Sequence, residues 1–143
     1  MDRKLDSTAN IEEELKSLQE IFSMFENPKD KFLQLMDMAK DQRPLHDKDK
    51  IESNKIYGCS SQAWIVAENH QDKTFTFRTD SDALIVKGLL QILEKIFNNQ
   101  KSKEILSIDS KYILRTIGLE GSVTNQRNNG FSSAVNKIHK LVQ

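Results

Sequence analysis

The 143-residue sequence is poor in cysteine, proline and glycine, with one, two and five of these residues respectively. A single cysteine cannot form an internal disulfide, and it cannot supply the several thiolates that a metal cluster requires. The prolines and glycines stand mostly between predicted elements, and no stretch has the composition of a flexible linker. A chain of this length can bury one hydrophobic core without cross-links. We therefore expect one domain with a single free thiol.

The sequence also lacks an excess of charge of either sign, because 21 Lys and Arg residues stand against 21 Asp and Glu residues. A balanced charge gives no field that would concentrate nucleic acid or an anionic membrane. No apolar run is long enough for a transmembrane helix, and the polar opening MDRKLDSTAN has no signal-peptide pattern. We expect a cytoplasmic protein that binds neither nucleic acid nor membrane.

The first forty residues predict two helices. Asn27 and Pro28 provide an N-cap and a first helical residue for the second helix, which runs through Ala39. Residues 1–9 are polar and aperiodic, so we predict a disordered terminus there. The charged segment 42–55 is predicted to be a surface connection. The first helix is marked by apolar residues at steps of four and three, namely Ile11, Leu15, Leu18, Phe22 and Phe25.

The middle of the sequence predicts a small antiparallel sheet. Apolar and polar residues alternate over 62–68 and again over 74–78, with a polar turn between them, which indicates a β-hairpin. Ile51, Ile56 and Tyr57 are predicted to form a short edge strand ahead of this hairpin. The sheet would then have about three strands.

The strongest predicted helix follows the hairpin and is apolar over most of its circumference from Ala83 to Phe97. The segment Asp80 to Asp82 is predicted to cap it, with negative charge at the positive end of the helix dipole. Gly88 interrupts this helix at a cost of about 1 kcal/mol relative to alanine. Such a cost is tolerated where another backbone approaches closely, and we predict such an approach at Gly88.

Three more helices complete the predicted fold. Short helices are expected at 103–106 and 110–114, and Thr124 or Asn125 is expected to cap a final helix that carries an apolar face. The order of elements is typical of an α+β fold, in which a small antiparallel sheet packs against helices. We expect this fold class.

Cys59 is the second residue of the segment GCSSQAW, which begins at Gly58. We predict that it lies in the loop that leads into the first strand of the hairpin. Gly58 leaves the thiol with one side chain fewer beside it, and Ser60 and Ser61 make the surroundings polar. Access and polarity favour a reactive thiol, which a reducing cytosol would keep available. A buried structural cysteine is the alternative, because cysteine is among the most buried residue types. The residues alone leave both interpretations open.

Three blocks of the sequence form one pattern, namely GCSSQAWIV from Gly58, TDSDALIVKGLLQIL from Thr79 and QRNNG from Gln126. Together they resemble the SufE family of sulfur acceptors, with weaker similarity in QRPL from Gln42. The blocks keep the family's order and spacing, and the resemblance covers most of the chain from about residue 28. It implies that residues 1–143 form a single SufE-like domain with an α+β fold of the SufE/NifU-like type.

The resemblance implies a sulfur carrier and not an independent enzyme. Cys59 would accept persulfide sulfur from a pyridoxal-phosphate-dependent cysteine desulfurase (SufS-like), stimulate that enzyme, and pass the sulfur to an iron–sulfur cluster assembly scaffold (SufBCD-like). The step is a displacement at sulfur of the kind that underlies thiol–disulfide exchange. Pyridoxal phosphate belongs to the partner, and we expect no cofactor or metal in this chain. The family also implies a thiol that is sheltered at rest and moves out on docking.

Four residues are expected to support Cys59 or to bind the partner, namely Gly58, Asp82, Lys87 and Arg127. Arg127 matches the arginine of the family's motif ahead of the last helix, where it would favour the thiolate or pair with a partner carboxylate. Asp82 matches the second aspartate of the family's DSD element, where it would pair internally or fix the start of its helix. The simpler alternatives are an exposed charge for Arg127 and a helix-terminal charge for Asp82.

Three other functions are alternatives to the sulfur carrier. A metal or iron–sulfur site is disfavoured because one cysteine and the scattered His46, His70 and His139 do not form a ligand set. A cysteine hydrolase or peroxidase would need a base beside Cys59, for which His46 or His70 is a candidate, but no local signature supports it. A protein-binding module would keep its function after Cys59→Ser.

Overall fold

The computed structural model describes residues 10–143, so the predicted disordered terminus at 1–9 lies outside the described residues. The strands are β1 Ala63–Asn69, β2 Thr74–Ser81 and β3 Gln100–Lys101. Two short 3₁₀ helices span Asp47–Asp49 and Glu52–Asn54. The α-helices are α1 Ile11–Phe22, α2 Pro28–Lys40, α3 Leu84–Phe97, α4 Ser102–Leu106, α5 Ser110–Ile117 and α6 Asn125–Val142.

The sheet is antiparallel and has the order β1-β2-β3. The β1–β2 hairpin pairs Ala63 with Ser81 at its open end and Asn69 with Phe75 at the turn. Its alternating residues bury Ile65 and Phe77, which are each 1% exposed, in the core. The predicted α+β fold with a three-stranded antiparallel sheet is confirmed.

The predicted edge strand at Ile51, Ile56 and Tyr57 is wrong. Only one isolated bridge, between Lys55 and Trp64, joins this segment to the sheet, because the 3₁₀ helix at Glu52–Asn54 takes up the preceding residues. Ile51 and Tyr57 are exposed, and Ile56 alone is buried. The third strand is instead β3, which pairs with β2 on the side away from β1.

Helix α3 lies at the centre of the core and contacts α1, α2, α6 and β2. The close backbone approach predicted at Gly88 is confirmed, since an alanine Cβ there would lie 2.2 Å from the carbonyl oxygen of Leu35 in α2. Among residues 10–143, every helix is too short or too polar to cross a lipid bilayer. The buried residues of α3 are Gly88, Leu89, Leu90, Ile92, Leu93, Ile96 and Phe97.

The predicted capping of α3 by Asp80 to Asp82 is also wrong. Asp80 and Ser81 belong to β2, where β1 supplies backbone partners, and the N-cap position is Ala83 without a side-chain cap. The hydroxyl of Ser81 accepts a hydrogen bond of 3.2 Å from the backbone N–H of Ala83. By contrast, Asn27 and Thr124 cap α2 and α6 as predicted.

Candidate functional site

Cys59 lines a cavity of about 430 Å³ that opens between four elements of the fold, one of which is α2 with Met36. The loop before β1 contributes Cys59 itself, the start of α3 contributes Leu84, and the first turn of α6 contributes Arg127. The cysteine is half-buried and its thiol is free. Leu84 is half exposed at 50%, so the cavity has an apolar edge at the surface. The arrangement shelters a thiol while leaving it a route to solvent.

Gly58 holds the cysteine loop against α6. Its φ of +92° lies in the left-handed region that side chains disfavour. A Cβ at this position would also lie 2.4 Å from the hydroxyl oxygen of Ser133. Both the backbone turn and the close contact therefore require glycine immediately before Cys59.

Gly130 is a site residue that the sequence reasoning missed. It lies inside α6, and a Cβ there would be 3.1 Å from Cys59 Sγ and 3.4 Å from Cys59 Cβ. The thiol thus packs directly on the backbone of α6. The available signal was a glycine within a predicted helix, which costs about 1 kcal/mol relative to alanine and calls for a packing reason.

Arg127 places a positive charge on the wall of the same cavity. Its backbone N–H donates a 3.3 Å hydrogen bond to the Thr124 hydroxyl, which fixes the first turn of α6. Its guanidinium carbon lies 5.9 Å from the ring centroid of Phe32, a cation–π contact. Within residues 10–143 the guanidinium has no carboxylate partner. The charge is free to interact with an anion in the cavity.

Asp82 pairs internally instead of lining the cavity. Its Oδ1 accepts a 3.1 Å hydrogen bond from the backbone N–H of Gln62, and its own N–H donates one of 3.1 Å to the carbonyl of Gln62. The hydroxyl of Ser81 donates to the same carbonyl. At the other end of the loop, Ile56 N–H donates to the carbonyl of Ala63 at 2.8 Å. Both ends of the cysteine loop are therefore fixed.

Lys87 is engaged in an ion pair with the buried carboxylate of Asp80. Its Nζ lies 3.3 Å from Asp80 Oδ1, and the Nζ of Lys50 lies 3.3 Å from Oδ2. Asp80 also accepts hydrogen bonds from the backbone N–H groups of Leu45 and Ser81. Burial opposes ionisation of Asp80, but these hydrogen bonds and the charge of Lys87 outweigh it and hold the pKa of Asp80 below its ordinary value. This network joins segment 42–55 to the first turn of α3.

A second buried carboxylate belongs to Glu94 in α3. Its Oε2 accepts hydrogen bonds of 2.9 Å from the backbone N–H of Thr79 and 2.6 Å from the Gln42 amide. Burial raises the pKa of Glu94 above its ordinary value, and these hydrogen bonds only partly offset that effect. Gln42 thereby connects the weakly similar QRPL segment to the sheet and to α3.

The histidines lie away from the thiol. His46 and His70 are exposed, and His139 Nε2 lies 3.1 Å from the carbonyl oxygen of Ile105. No histidine among the residues lining the Cys59 cavity offers a base for hydrolase chemistry. The part of the chain that the structure describes also has no group of three His, Cys, Asp or Glu side chains placed to hold a metal.

The fold and the site define a class: a small α+β domain that presents one free thiol at a partly sheltered cavity. Comparison with known families identifies the family to which the chain belongs. The family model described as "SufE: Fe-S metabolism associated domain" matches residues 16–142. This chain belongs to the SufE family, and membership implies a role in sulfur transfer for iron–sulfur metabolism.

Individual relatives agree with this family. SufE-like protein 1 of Arabidopsis thaliana, named chloroplastic/mitochondrial, is 35% identical over 133 residues, and the match spans 91% of this chain but 36% of that protein. An uncharacterised SufE-like protein of Rhizobium meliloti is 32% identical over 120 residues, covering 82% of this chain and 86% of that protein. The cysteine desulfuration protein SufE of Wigglesworthia glossinidia brevipalpis is 34% identical over 119 residues, covering 83% of each.

One solved structure is similar over nearly the whole chain. The solution structure of a hypothetical protein from Thermus thermophilus superposes with a TM-score of 0.72 and covers 90% of this chain and 93% of that one. The two sequences are 18% identical. The likeness therefore concerns the fold alone.

Proposed function

We propose that this chain is a sulfur carrier in which Cys59 accepts persulfide sulfur from a pyridoxal-phosphate-dependent cysteine desulfurase. The observation that carries the proposal is the free, half-buried thiol of Cys59 in a cavity also lined by Arg127, whose guanidinium has no carboxylate partner within residues 10–143. Membership of the SufE family supports the same chemistry. The desulfurase partner is of the SufS-like type.

The proposed step is a displacement at sulfur. The thiolate of Cys59 attacks the outer sulfur of the desulfurase cysteine persulfide, a new S–S bond forms on Cys59, and the old S–S bond breaks. The desulfurase cysteine leaves as a thiolate, so no oxidant or reductant is consumed. Removing the persulfide frees the desulfurase for another turnover, which accounts for stimulation of that enzyme.

The cavity suits the loaded form of Cys59. The added sulfur would extend about 2 Å beyond Sγ. The backbone of α6 at Gly130 closes one side of the thiol, so the open direction is toward the cavity. There the outer sulfur, an anion at neutral pH, would meet the positive charge of Arg127. Shelter from water limits loss and over-oxidation of the persulfide.

Gly58, Asp82, Lys87 and Arg127 have different parts in the proposed site. Gly58 and Asp82 position the cysteine loop through their contacts with α6 and with Gln62. Lys87 acts through Asp80, which holds the base of α3 in place. Arg127 is the one charge of the four that lines the cavity, and it is available to a persulfide or to a partner carboxylate.

Residues 1–143 act as a single domain in the cytoplasm, and Cys59 passes its sulfur to a SufBCD-like iron–sulfur scaffold. Pyridoxal phosphate stays with the desulfurase, and this chain works without a cofactor or metal of its own. Neither nucleic acid nor a membrane is a partner.

Mass spectrometry of intact protein and of peptides tests the proposal directly. The protein is mixed with its genomic partner desulfurase and free cysteine, beside a Cys59→Ser control. We expect Cys59 to gain the mass of one sulfur, reversibly with reductant and only when the donor is present. If the desulfurase loads normally while Cys59 stays unmodified, a protein-binding module becomes the better description. Turnover of a generic thioester without the donor would instead indicate a cysteine hydrolase.

A further inference from the structure

A second surface feature lies next to the cysteine loop. It is a cleft of about 290 Å³ lined by Lys55, Tyr57, Ser133, Asn136, Lys137 and Lys140, which we call the lysine cleft. Tyr57 immediately precedes Gly58, and Ser133 is the α6 residue against which Gly58 packs. The lysine cleft and the cavity of Cys59 are therefore adjacent, and the Gly58 contact with α6 lies between them.

The lysine cleft carries positive charge that the described residues do not balance. None of its three ammonium groups forms an ion pair with a carboxylate of residues 10–143. Lys55 Nζ lies 5.7 Å from the ring centroid of Tyr57, and Lys137 Nζ donates a 3.1 Å hydrogen bond to the carbonyl of Ser53. Among residues 10–143, the one acidic side chain that bonds to a lining residue is Glu52, whose carboxylate accepts a hydrogen bond from the Tyr57 hydroxyl.

An exposed aromatic side chain adds an anchor to this charge. Tyr57 is 61% exposed, although its ring is large enough to favour burial. Tyrosine is enriched at protein interfaces, where its ring supplies contact area. Lysines beside it would attract carboxylates of a partner through charge complementarity. The lysine cleft thus combines the two kinds of group that an acidic protein segment would contact.

The position of the cleft indicates which protein would cover it. The Cα atoms of residues 57 and 59 are at most about 7 Å apart along the chain. A standard interface buries about 800 Å² on each partner, which corresponds to a radius of about 16 Å around its centre. A protein whose interface of this size is centred on Cys59 also covers Tyr57. A nucleic acid, in contrast, would need an extended basic stripe, which three clustered lysines do not form.

We propose that the lysine cleft docks an acidic segment of the cysteine desulfurase and so orients that enzyme toward Cys59. This inference rests on the proposed function, because it takes the donor of sulfur to be the partner. The cleft contributes charge complementarity, which acts mainly on the rate of encounter and on the orientation of the complex. It takes no part in the displacement at sulfur.

The test uses two lysines that are exposed on helices and whose side chains form no hydrogen bond or ion pair within residues 10–143. Lys140→Glu reverses a charge in the cleft, and Lys16→Glu makes the same change on α1 as the matched control. The measurement is the second-order rate constant for sulfur transfer from persulfide-loaded desulfurase to Cys59. Circular dichroism and thermal unfolding of both variants check that each is folded.

At an ionic strength of about 0.05 M we expect Lys140→Glu to lower this rate constant about fivefold and Lys16→Glu to change it less than about twofold. At about 0.5 M the difference between the variants should nearly vanish, because salt screens exposed charges. With saturating donor, Lys140→Glu should load completely. Equal rate constants for the two variants, or a defect that persists with saturating donor, would overturn the docking assignment.

The proposed function can fail separately from this inference. If the unaltered protein gains no sulfur at any donor concentration, the carrier assignment itself is wrong. If the unaltered protein and both variants load at the same salt-dependent rate, the carrier assignment holds and the lysine cleft is not the docking surface. Sulfur loading of the unaltered protein thus tests the proposed function. The ratio of the rate constants of Lys140→Glu and Lys16→Glu tests the docking surface.

Discussion

The sulfur of Cys59 packs against the backbone of Gly130, so closely that a Cβ at Gly130 would lie only 3.1 Å from Sγ. One residue comes from the loop before the sheet and the other from the last helix. Their contact decides how far the thiol is withdrawn from the surface. It also makes Gly130 the position at which a single methyl group can alter access to Cys59 without altering the thiol itself.

Gly130→Ala should make Cys59 more accessible. The new methyl group would push the sulfur outward by a few tenths of an ångström or more, while alanine stabilises α6 by about 1 kcal/mol relative to glycine. We expect stability to change by less than about 1 kcal/mol and alkylation of Cys59 to become about threefold faster or more. Asn129→Ala, on the exposed side of the same helix, is the control. Unchanged alkylation in Gly130→Ala would show that the loop absorbs the methyl group without moving the thiol.

Arg127→Ala should slow the loading of Cys59 with little effect on folding. The contact with Phe32 is a partly exposed cation–π pair, whose loss costs about 1 kcal/mol or less. If the guanidinium stabilises the persulfide anion or binds a partner carboxylate, loading should slow about tenfold or more. A mass-spectrometric time course beside Arg127→Lys measures this, with the lysine variant expected to lie between. Loading of the alanine variant at the wild-type rate would remove Arg127 from the proposed site.

Asp80→Asn should destabilise the fold in a pH-dependent way. The substitution leaves Lys50 and Lys87 without their buried partner, which should cost about 3 kcal/mol at neutral pH. Because the pKa of Asp80 is lowered in the folded state, its contribution is complete above the unfolded pKa of about 3.9 and is lost as pH falls through the folded value. Urea unfolding at neutral and acidic pH measures the difference. A gap between wild type and variant that is constant with pH would contradict this origin.

Glu94→Gln should show the opposite pH dependence. Burial raises the pKa of Glu94, so its protonated form favours folding below the unfolded pKa of about 4.3, and this contribution is lost as pH rises through the folded value. Glutamine keeps an oxygen that accepts from Thr79 and has no charge to bury. We therefore expect the variant to gain stability relative to wild type between acidic and neutral pH. Parallel unfolding free energies across this range would show that Glu94 does not titrate as described.

Much of the fold could be predicted because hydrophobic periodicity and helix caps are local signals. Asn27 with Pro28 marked the start of α2, and Gly88 predicted a close backbone contact that Leu35 provides. The errors lie where partners distant in sequence decide the structure. Asp80 resembles a helix cap but lies opposite Trp64 in β1, and β3 has only two residues, too few to show a period.

The same difference between local signals and long-range contacts applies to the candidate site. Neighbouring residues and the family's sequence blocks predicted that Cys59 lies in a loop and that Gly58 supports it. Gly130 belongs to one of those blocks, QRNNG, but its role depends on packing against a loop far away in the chain. The pairing of Asp82 with Gln62 likewise joins two segments that no local pattern connects. Spacing along the sequence carries little information about such contacts.

The two fixed ends of the cysteine loop limit the distance that Cys59 can move out from the domain. Ile56 bonds to Ala63 at one end, and Asp82 holds Gln62 at the other, so only the five residues 57–61 between these anchors can rearrange. A closed loop of that size can carry its tip at most about 10 Å from its base, since each residue spans about 3.4 Å when extended. A donor cysteine recessed more deeply than this is out of reach of the loop alone. In that case the surface of the domain around Cys59 would itself have to enter the opening of the donor's active site.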